Sequence, residues 1–220
     1  MKNLLLSFIL FTSLAHAQAP ALKVGDSWKM QSLDTTVNPP TLQWSQTRTV
    51  ISVDAQETAR LIEPNTGDKF VAVHDATTDK RLTTYKHEES APDRKGKKLG
   101  DWSKSDSFVQ FPLEIGKKWE VHRSRRLNNG QSVITDLKAE VLALEKVQTP
   151  AGEFEAYKIS LRGSWRNTGS GNTGPNDGTL WYAPAAKEVV KYVGETRWST
   201  VSKPIIDQWH EELIELKLAP

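Results

Sequence analysis

Apolar and polar residues alternate along most of this 220-residue chain, in runs that end at turn-forming residues. The alternation has a period of two and is rich in β-branched and aromatic residues, which is typical of half-buried strands. Hairpin-type turn signals, such as Asn128-Asn129-Gly130 and Pro150-Ala151-Gly152, separate the runs. The pattern predicts an all-β protein built from antiparallel strands. The clearest runs are Leu42–Val53, Gln131–Gln148, Glu153–Trp165, Thr179–Pro184 and Glu188–Val193.

Three further segments need interpretation. Leu137–Lys146 has helix-forming composition, but its residues alternate between two faces and it lies between two turn signals, so a strand fits better. The tail, Asp207–Leu218, is interpreted as a closing strand on the same grounds. Residues 167–178 are rich in Gly, Asn and Thr and are predicted to form a hairpin loop. The G-x-G-x-x-G of this loop is followed by another predicted strand instead of a helix, so it does not indicate a nucleotide site.

One nine-residue pattern occurs twice in the chain, 91 residues apart. Leu22–Met30 and Leu113–Val121 share the pattern Leu-x-(Val/Ile)-Gly-x-x-Trp-x-apolar. Self-similarity of this kind indicates duplicated structural units. The glycine predicts a turn that begins a strand, and Trp28 and Trp119 are predicted to be buried at equivalent positions. We therefore expect two similar halves that form an antiparallel sandwich or an open half-barrel.

The repeat and a polar stretch divide the chain. Residues 1–17 are a predicted signal peptide, 18–90 an N-terminal β half, 91–107 a linker and 108–220 a C-terminal β half. In the signal peptide, Lys2 precedes the apolar run Leu4–Leu14, and Ala15-His16-Ala17 has the small residues that a signal peptidase reads. This run is far shorter than the ~20 residues needed to span a bilayer. We expect a mature chain that begins at Gln18, lacks a transmembrane segment, and is periplasmic or secreted.

Cysteine content and charge exclude several kinds of site. The sequence has no cysteine, so it contains no disulfide, thiolate zinc site, cysteine nucleophile or lipid-modified cysteine. The net charge of +2 is nearly balanced, and neither of the two basic clusters, Arg94–Lys98 and His122–Arg126, forms a one-sided stripe. We therefore expect no nucleic-acid partner.

Motifs for catalysis, metals or cofactors are weak in this sequence. His87-Glu88-Glu89 and His210-Glu211-Glu212 both lack a second histidine four residues on, which a helical zinc site requires. We predict no cofactor, no bound metal and no catalytic residue. Pairs of carboxylates can nevertheless meet in space, so a hydrolase acting on envelope polymers is the alternative function, and enzyme activity is left open.

The predicted ligand site combines arginines with tryptophans. Arg123 and Arg125 share one face of a predicted strand, where their guanidinium groups can bind a carboxylate or phosphate. Most of the eight tryptophans are expected in the core, but Trp165 and Trp181 are assigned to the apolar part of the ligand. The prediction is an exported, non-catalytic envelope protein that binds a small amphipathic or anionic ligand, or a protein partner. The alternative is that the arginines only keep an exposed strand soluble.

The second half resembles a group of bacterial exported β-rich proteins of unknown function. The resemblance rests on Thr149–Ile159, Leu180–Pro184 and Val189–Tyr192, which carry Pro-Ala-Gly-x-Phe, Trp-Tyr-x-Pro and Val-Val-Lys-Tyr patterns. Ala185-Ala186-Lys187 replaces the acidic or glycine turn that is usual after the proline. The resemblance implies an antiparallel β fold and an envelope location, and it transfers no catalytic residue.

Overall fold

One antiparallel β-sheet contains all the strands of the computed structural model. The structure describes residues 17–53, 59–62, 69–75, 80–89, 107–127, 129–199 and 204–220. The prediction of an all-β antiparallel fold is confirmed. Within these ranges no helix is long and apolar enough to cross a membrane. The eleven strands are β1 (Ser27–Asp34), β2 (Thr41–Val53), β3 (Ala59–Ile62), β4 (Lys69–Asp75), β5 (Lys80–Glu89), β6 (Lys118–Arg126), β7 (Ser132–Thr149), β8 (Gly152–Asn167), β9 (Thr173–Ala183), β10 (Glu188–Ser199) and β11 (Pro204–Lys217).

Two meanders are joined at their first and last strands. The strand order is β5-β4-β3-β2-β1-β11-β10-β9-β8-β7-β6, so β1–β5 form one meander and β6–β11 the other. Strand β11 pairs with β1, with Ser27 opposite Lys217 and Leu33 opposite His210. The sheet curls into an open half-barrel. Of the two predicted architectures, the half-barrel therefore forms and the sandwich does not. The tail forms the last strand of the second meander, where it pairs with the first strand of the other, and it begins three residues earlier than predicted.

The duplicated pattern has the same backbone hydrogen bonds in both halves. Gly25 N donates to Val50 O over 2.9 Å. Gly116 N donates to Val141 O over 2.8 Å, and both residues of this second pair lie 91 residues further on. Both glycines have a positive φ, +95° and +87°, which residues with a Cβ rarely adopt. The two turns are therefore structural equivalents.

The tryptophans that follow the two turns are also equivalent. Trp28 and Trp119 are buried, as predicted. Each tryptophan strand also has a neighbouring strand with a β-bulge. The bulge lies at Ile51 in β2, next to β1, and at Leu142 in β7, next to β6, and these two positions are again 91 residues apart. These features confirm that the two halves share one local architecture.

The larger of the two hydrophobic clusters lies on one face of the sheet. Segment 107–113 runs over this face, which we call the inner face, and places Val109, Phe111 and Leu113 in the core. A second group of buried residues surrounds the junction of β1 and β11. The core residues that the inner face of β6–β9 contributes are Trp119, Val121, Leu137, Ala139, Val141, Tyr157, Ile159, Leu161, Leu180 and Tyr182.

The predicted hairpin loop at 167–178 is shorter in the structure. Strand β9 begins at Thr173, which lies opposite Arg166, so only residues 168–172 connect β8 to β9. The glycine, asparagine and proline content favoured a loop, but pairing with β8 holds residues 173–178 in the sheet. Pro175 lies beyond the last β9–β10 pair, Asn176 with Thr196, so its missing N–H interrupts no pairing with β10.

Two of the sequence predictions fall largely outside the described residues. These are the signal peptide, of which only Ala17 is described, and the linker, of which only Ser107 is described. Ala17 pairs with Leu113 through two backbone hydrogen bonds of 2.9 and 2.7 Å.

Candidate ligand-binding site

Arg123 and Arg125 lie on the inner face of edge strand β6. Residues of this strand alternate, and the face that buries Trp119 and Val121 also carries the two arginines. Both arginines are half-buried. His122 lies on the outer face, where its Nδ1 is 2.5 Å from Asp136 Oδ1. The alternation of β6 therefore places the arginines where the hydrophobic core ends.

Trp165 lies in the same row of the inner face. Its Cα partner on β7 is Thr135, and the partner of Thr135 on β6 is Arg123. Residues directly opposite on antiparallel strands share a face, so the indole and the guanidinium point to the same side of the sheet. The ring of Trp165 packs edge-on against that of Trp198, with 5.6 Å between centroids. The result is an aromatic pair on the same face as the arginines, with β7 between Trp165 and Arg123.

Trp181 lies on the outer face, apart from the other three predicted residues. Its Cα partners are Lys158 and Lys191, whose Nζ atoms lie 5.6 and 5.8 Å from the centroid of its ring. Its Nε1 donates to Glu145 Oε1 over 2.8 Å. Trp181 also lines an outer-face groove of about 530 Å³. The sheet itself separates this groove from Arg123, Arg125 and Trp165.

Two polar atoms of β8 and β9 on the inner face are buried without a partner among the described residues. Trp165 Nε1 and Asn176 Oδ1 form no hydrogen bond with any described residue. On the paired strands β8 and β9, Trp165 lies opposite Gly174 and Gly163 opposite Asn176, so the two side chains are diagonal neighbours on one face. A buried polar atom without a partner is costly and calls for an explanation such as a ligand.

Asn176 and Trp198 were missed by the sequence reasoning. Asn176 fell in the predicted loop, although counting back by twos from buried Leu180 would have placed it on the inner face. Trp198 is one of the tryptophans that the sequence predicts for the core. We call Arg123, Arg125, Trp165, Asn176 and Trp198 the inner cluster.

An aromatic wall connects the inner cluster to the opposite side of the half-barrel. The Arg123 guanidinium lies 4.2 Å from the centroid of the Phe108 ring, a cation–π contact. Phe108 belongs to the segment that covers the inner face, and its ring centroid is 5.7 Å from that of Tyr192 on β10. Tyr192 in turn packs against Trp209 on β11 at 5.7 Å. Arg123 is therefore held above aromatic rings, on the edge strand opposite β11.

A carboxylate lies near the end of this wall. Glu211 on β11 is the Cα partner of Tyr192. Burial raises the pKa of Glu211 to about 7, although the positive charges of Arg48 and Arg123 act in the opposite direction. Burial, followed by the negative charge of Glu211, raises the pKa of Tyr192, so its phenol is neutral at ordinary pH.

The inner cluster reaches the surface at a cleft. Trp198 lines this cleft of about 590 Å³ together with residues 171–175, Arg197 and residues 204–206. Gly174 lies between the cleft and the indole of Trp165, and a Cβ there would stand 1.6 Å from Arg197 O. The close packing of β9 on β10 therefore requires glycine next to the aromatic pair.

Side chains that could ligate a metal ion are dispersed in the described ranges. These ranges contain no group of three or more His, Cys, Asp or Glu side chains that could hold a metal ion. The inner cluster combines cations, indoles and an amide, which suits binding of an anion with an attached apolar part.

Comparison with known proteins identifies the fold. The chain matches no protein-family model and no curated protein. Its structure is similar to that of a candidate lipoprotein from Parabacteroides distasonis, with 17% sequence identity, a TM-score of 0.55, and coverage of 91% of this chain and 99% of that one. A candidate exported protein with a YmcC-like fold from Bacteroides fragilis is 14% identical, with a TM-score of 0.48 and the same coverage. The first of these proteins shares the half-barrel fold.

Proposed function

We propose that this protein is an exported binding protein that takes an amphipathic anion at the inner cluster. The observation that carries the proposal is that Arg123 and Trp165 share one row of the inner face, with Thr135 between them and Arg125 two residues further along β6, while the buried Nε1 of Trp165 has no partner among the described residues. A donor of this kind and two guanidinium groups are complementary to the oxygens of a carboxylate, phosphate or sulfonate.

The apolar part of such a ligand has a separate place to bind. The indole pair of Trp165 and Trp198 leads from the arginines to the surface cleft. Indoles offer a large, rigid apolar surface at low cost in conformational entropy. An alkyl chain lying along this pair would leave the anionic head at Arg123 and Arg125.

Export is supported by the N-terminal sequence and by a structural neighbour. Leu4–Leu14 and Ala15-His16-Ala17 have the pattern of a cleaved signal peptide. The protein from Parabacteroides distasonis is described as a candidate lipoprotein. The resemblance to bacterial exported β-rich proteins agrees with a periplasmic or secreted location.

Binding of decane-1-sulfonate tests the proposed function. This probe is an amphipathic anion of fixed charge, used below its micelle concentration and measured by calorimetry. We expect saturable binding that Arg123→Gln and Arg125→Gln each weaken roughly tenfold, the size of one lost charge-assisted hydrogen bond. Arg162→Gln is the matched control, because Arg162 is exposed and lies on the outer face of β8. Decyl maltoside, which has no charge, tests whether the apolar chain alone is sufficient.

Two results would overturn the proposed function. The first is the absence of saturable binding by the wild-type protein. The second is equal weakening by Arg162→Gln and the inner-face variants, because a general loss of positive charge would then explain the effect.

A further inference from the structure

Glu211 places a carboxylate on the same inner face as the inner cluster. It stands in the middle of β11, with Tyr192 on β10 and Ser32 on β1 as its Cα partners. Ser32 is buried and Tyr192 is partly buried. Its neighbour in sequence, Glu212, lies on the outer face, where it accepts a hydrogen bond of 2.9 Å from Gln31 Nε2. The two adjacent glutamates therefore face different surroundings.

Two arginines from other strands act on Glu211. Arg48 on β2 lies 3.6 Å from buried Glu188 and also contributes positive charge at Glu211. Arg123 on β6 reaches the same region above Phe108, whose ring packs against Tyr192. Among the described residues, the charged or titratable groups that act on Glu211 are thus Arg48, Arg123 and Tyr192, whose phenol is neutral, and Ser32 beside it is uncharged. Asp207, further along β11, is exposed.

We propose that Glu211 determines the charge selectivity of the inner cluster, because its carboxylate competes with the anionic head of the ligand for Arg123. This inference rests on the proposed function, since it concerns the same site. Ionised Glu211 attracts the Arg123 guanidinium and repels an incoming anion. Protonated Glu211 does neither, so the cluster then has a larger net positive charge for the ligand.

The ionisation of Glu211 falls in the physiological range. Burial raises its pKa to about 7, so the carboxylate changes charge near neutral pH. Below this pH the group is neutral and the anion binds more tightly. Above it the group is charged and the anion binds more weakly. Binding of an anion should in turn raise the pKa of Glu211, because linkage between proton and ligand is reciprocal.

The experiment measures the affinity for decane-1-sulfonate between pH 6 and pH 8. Its sulfonate keeps one negative charge over this range, so any change belongs to the protein. We expect the wild-type affinity to fall roughly tenfold as the pH rises, the order expected for one added like charge at an effective dielectric constant of about 20. Glu211→Gln should hold the low-pH affinity throughout. Glu212→Gln is the matched control and should retain the wild-type profile.

The outcomes separate this inference from the proposed function. No saturable binding at pH 6 would overturn both. Saturable binding with a flat wild-type profile, or with the same profile in Glu211→Gln, would overturn the role of Glu211 and leave the proposed function standing. A change of profile in Glu212→Gln would assign the effect to the outer face. If Glu211→Gln does not fold, the wild-type profile and Glu212→Gln still decide.

Discussion

At the scale of single residues, the position after each turn glycine has a special role. Asp26 is fully buried, and its carboxylate accepts hydrogen bonds from Lys187 Nζ (2.7 Å), from Lys23 N (2.9 Å) and from Ala219 N (2.8 Å). It therefore ties the C-terminal tail and the β9–β10 turn to the start of β1. The equivalent residue in the second half, 91 positions on, is Lys117, which carries the opposite charge.

Replacing Asp26 should weaken the fold in a pH-dependent way. Burial alone would raise the pKa of Asp26, but the bonds from Lys187, Lys23 and Ala219 lower it below its usual value of 3.8. Ionised Asp26 therefore stabilises the fold above about pH 4, and this contribution is lost as the pH falls through the lowered pKa. We expect Asp26→Asn to reduce the free energy of unfolding by about 3 kcal/mol at pH 7, because Lys187 loses a buried partner.

Urea unfolding at a series of pH values checks this prediction. The difference between the wild type and Asp26→Asn should be constant above pH 5 and should narrow below pH 4. Asp34→Asn serves as the control, since among the described residues the Asp34 carboxylate accepts hydrogen bonds from its near neighbour Thr36. A difference that stays constant down to pH 2 would contradict the assigned role of the charge.

At the scale of elements, segment 107–113 determines how the inner face is covered. Its side chains complete the core, and Lys117 holds it by donating from Nζ to Gln110 O (2.8 Å) and to Pro112 O (2.7 Å). The ring of Phe108, in the same segment, forms the cation–π contact with the guanidinium of Arg123. The geometry of the inner cluster therefore depends on this anchor.

Lys117→Met should loosen the covering segment, whereas Lys118→Met should not. The first change removes two charge-assisted hydrogen bonds, and we expect it to lower the free energy of unfolding by roughly 2 kcal/mol. Lys118 forms an exposed ion pair with Glu140, and exposed pairs contribute little. Hydrogen exchange of the backbone amides of residues 109–111 and 113 should accelerate only in Lys117→Met. Equal exchange in both variants would contradict the anchoring role.

Strand positions were more predictable than strand limits. The alternation along Gln131–Gln148 and Glu153–Trp165 is a local signal, and both runs form strands within a few residues of the predicted ends. The start of β9 was not predictable in this way. Residues 173–178 have the composition of a loop, and only their pairing with β8 holds them in the sheet. Local composition does not report such pairing.

At the scale of the whole molecule, closure of the sheet and the choice of faces are long-range properties. The half-barrel depends on the pairing of β1 with β11, which joins Ser27 to Lys217. The 91-residue repeat predicts two similar halves but not which strands join them. Likewise, Trp165 and Trp181 appeared equivalent as strand tryptophans, and only the register of β8 on β9 shows that they lie on opposite faces.

The separation of these two tryptophans by the sheet gives the most direct test of the proposed site. Fluorescence titration with decane-1-sulfonate should be compared for wild type, Trp165→Phe and Trp181→Phe. We expect Trp165→Phe to lose much of the fluorescence change and to bind more weakly, because its indole shares the inner-face row of Arg123 and is the proposed donor to the anion. Trp181→Phe should keep the wild-type affinity and signal. The reverse result, with Trp181→Phe losing the signal and Trp165→Phe unchanged, would place the ligand on the outer face and contradict this account.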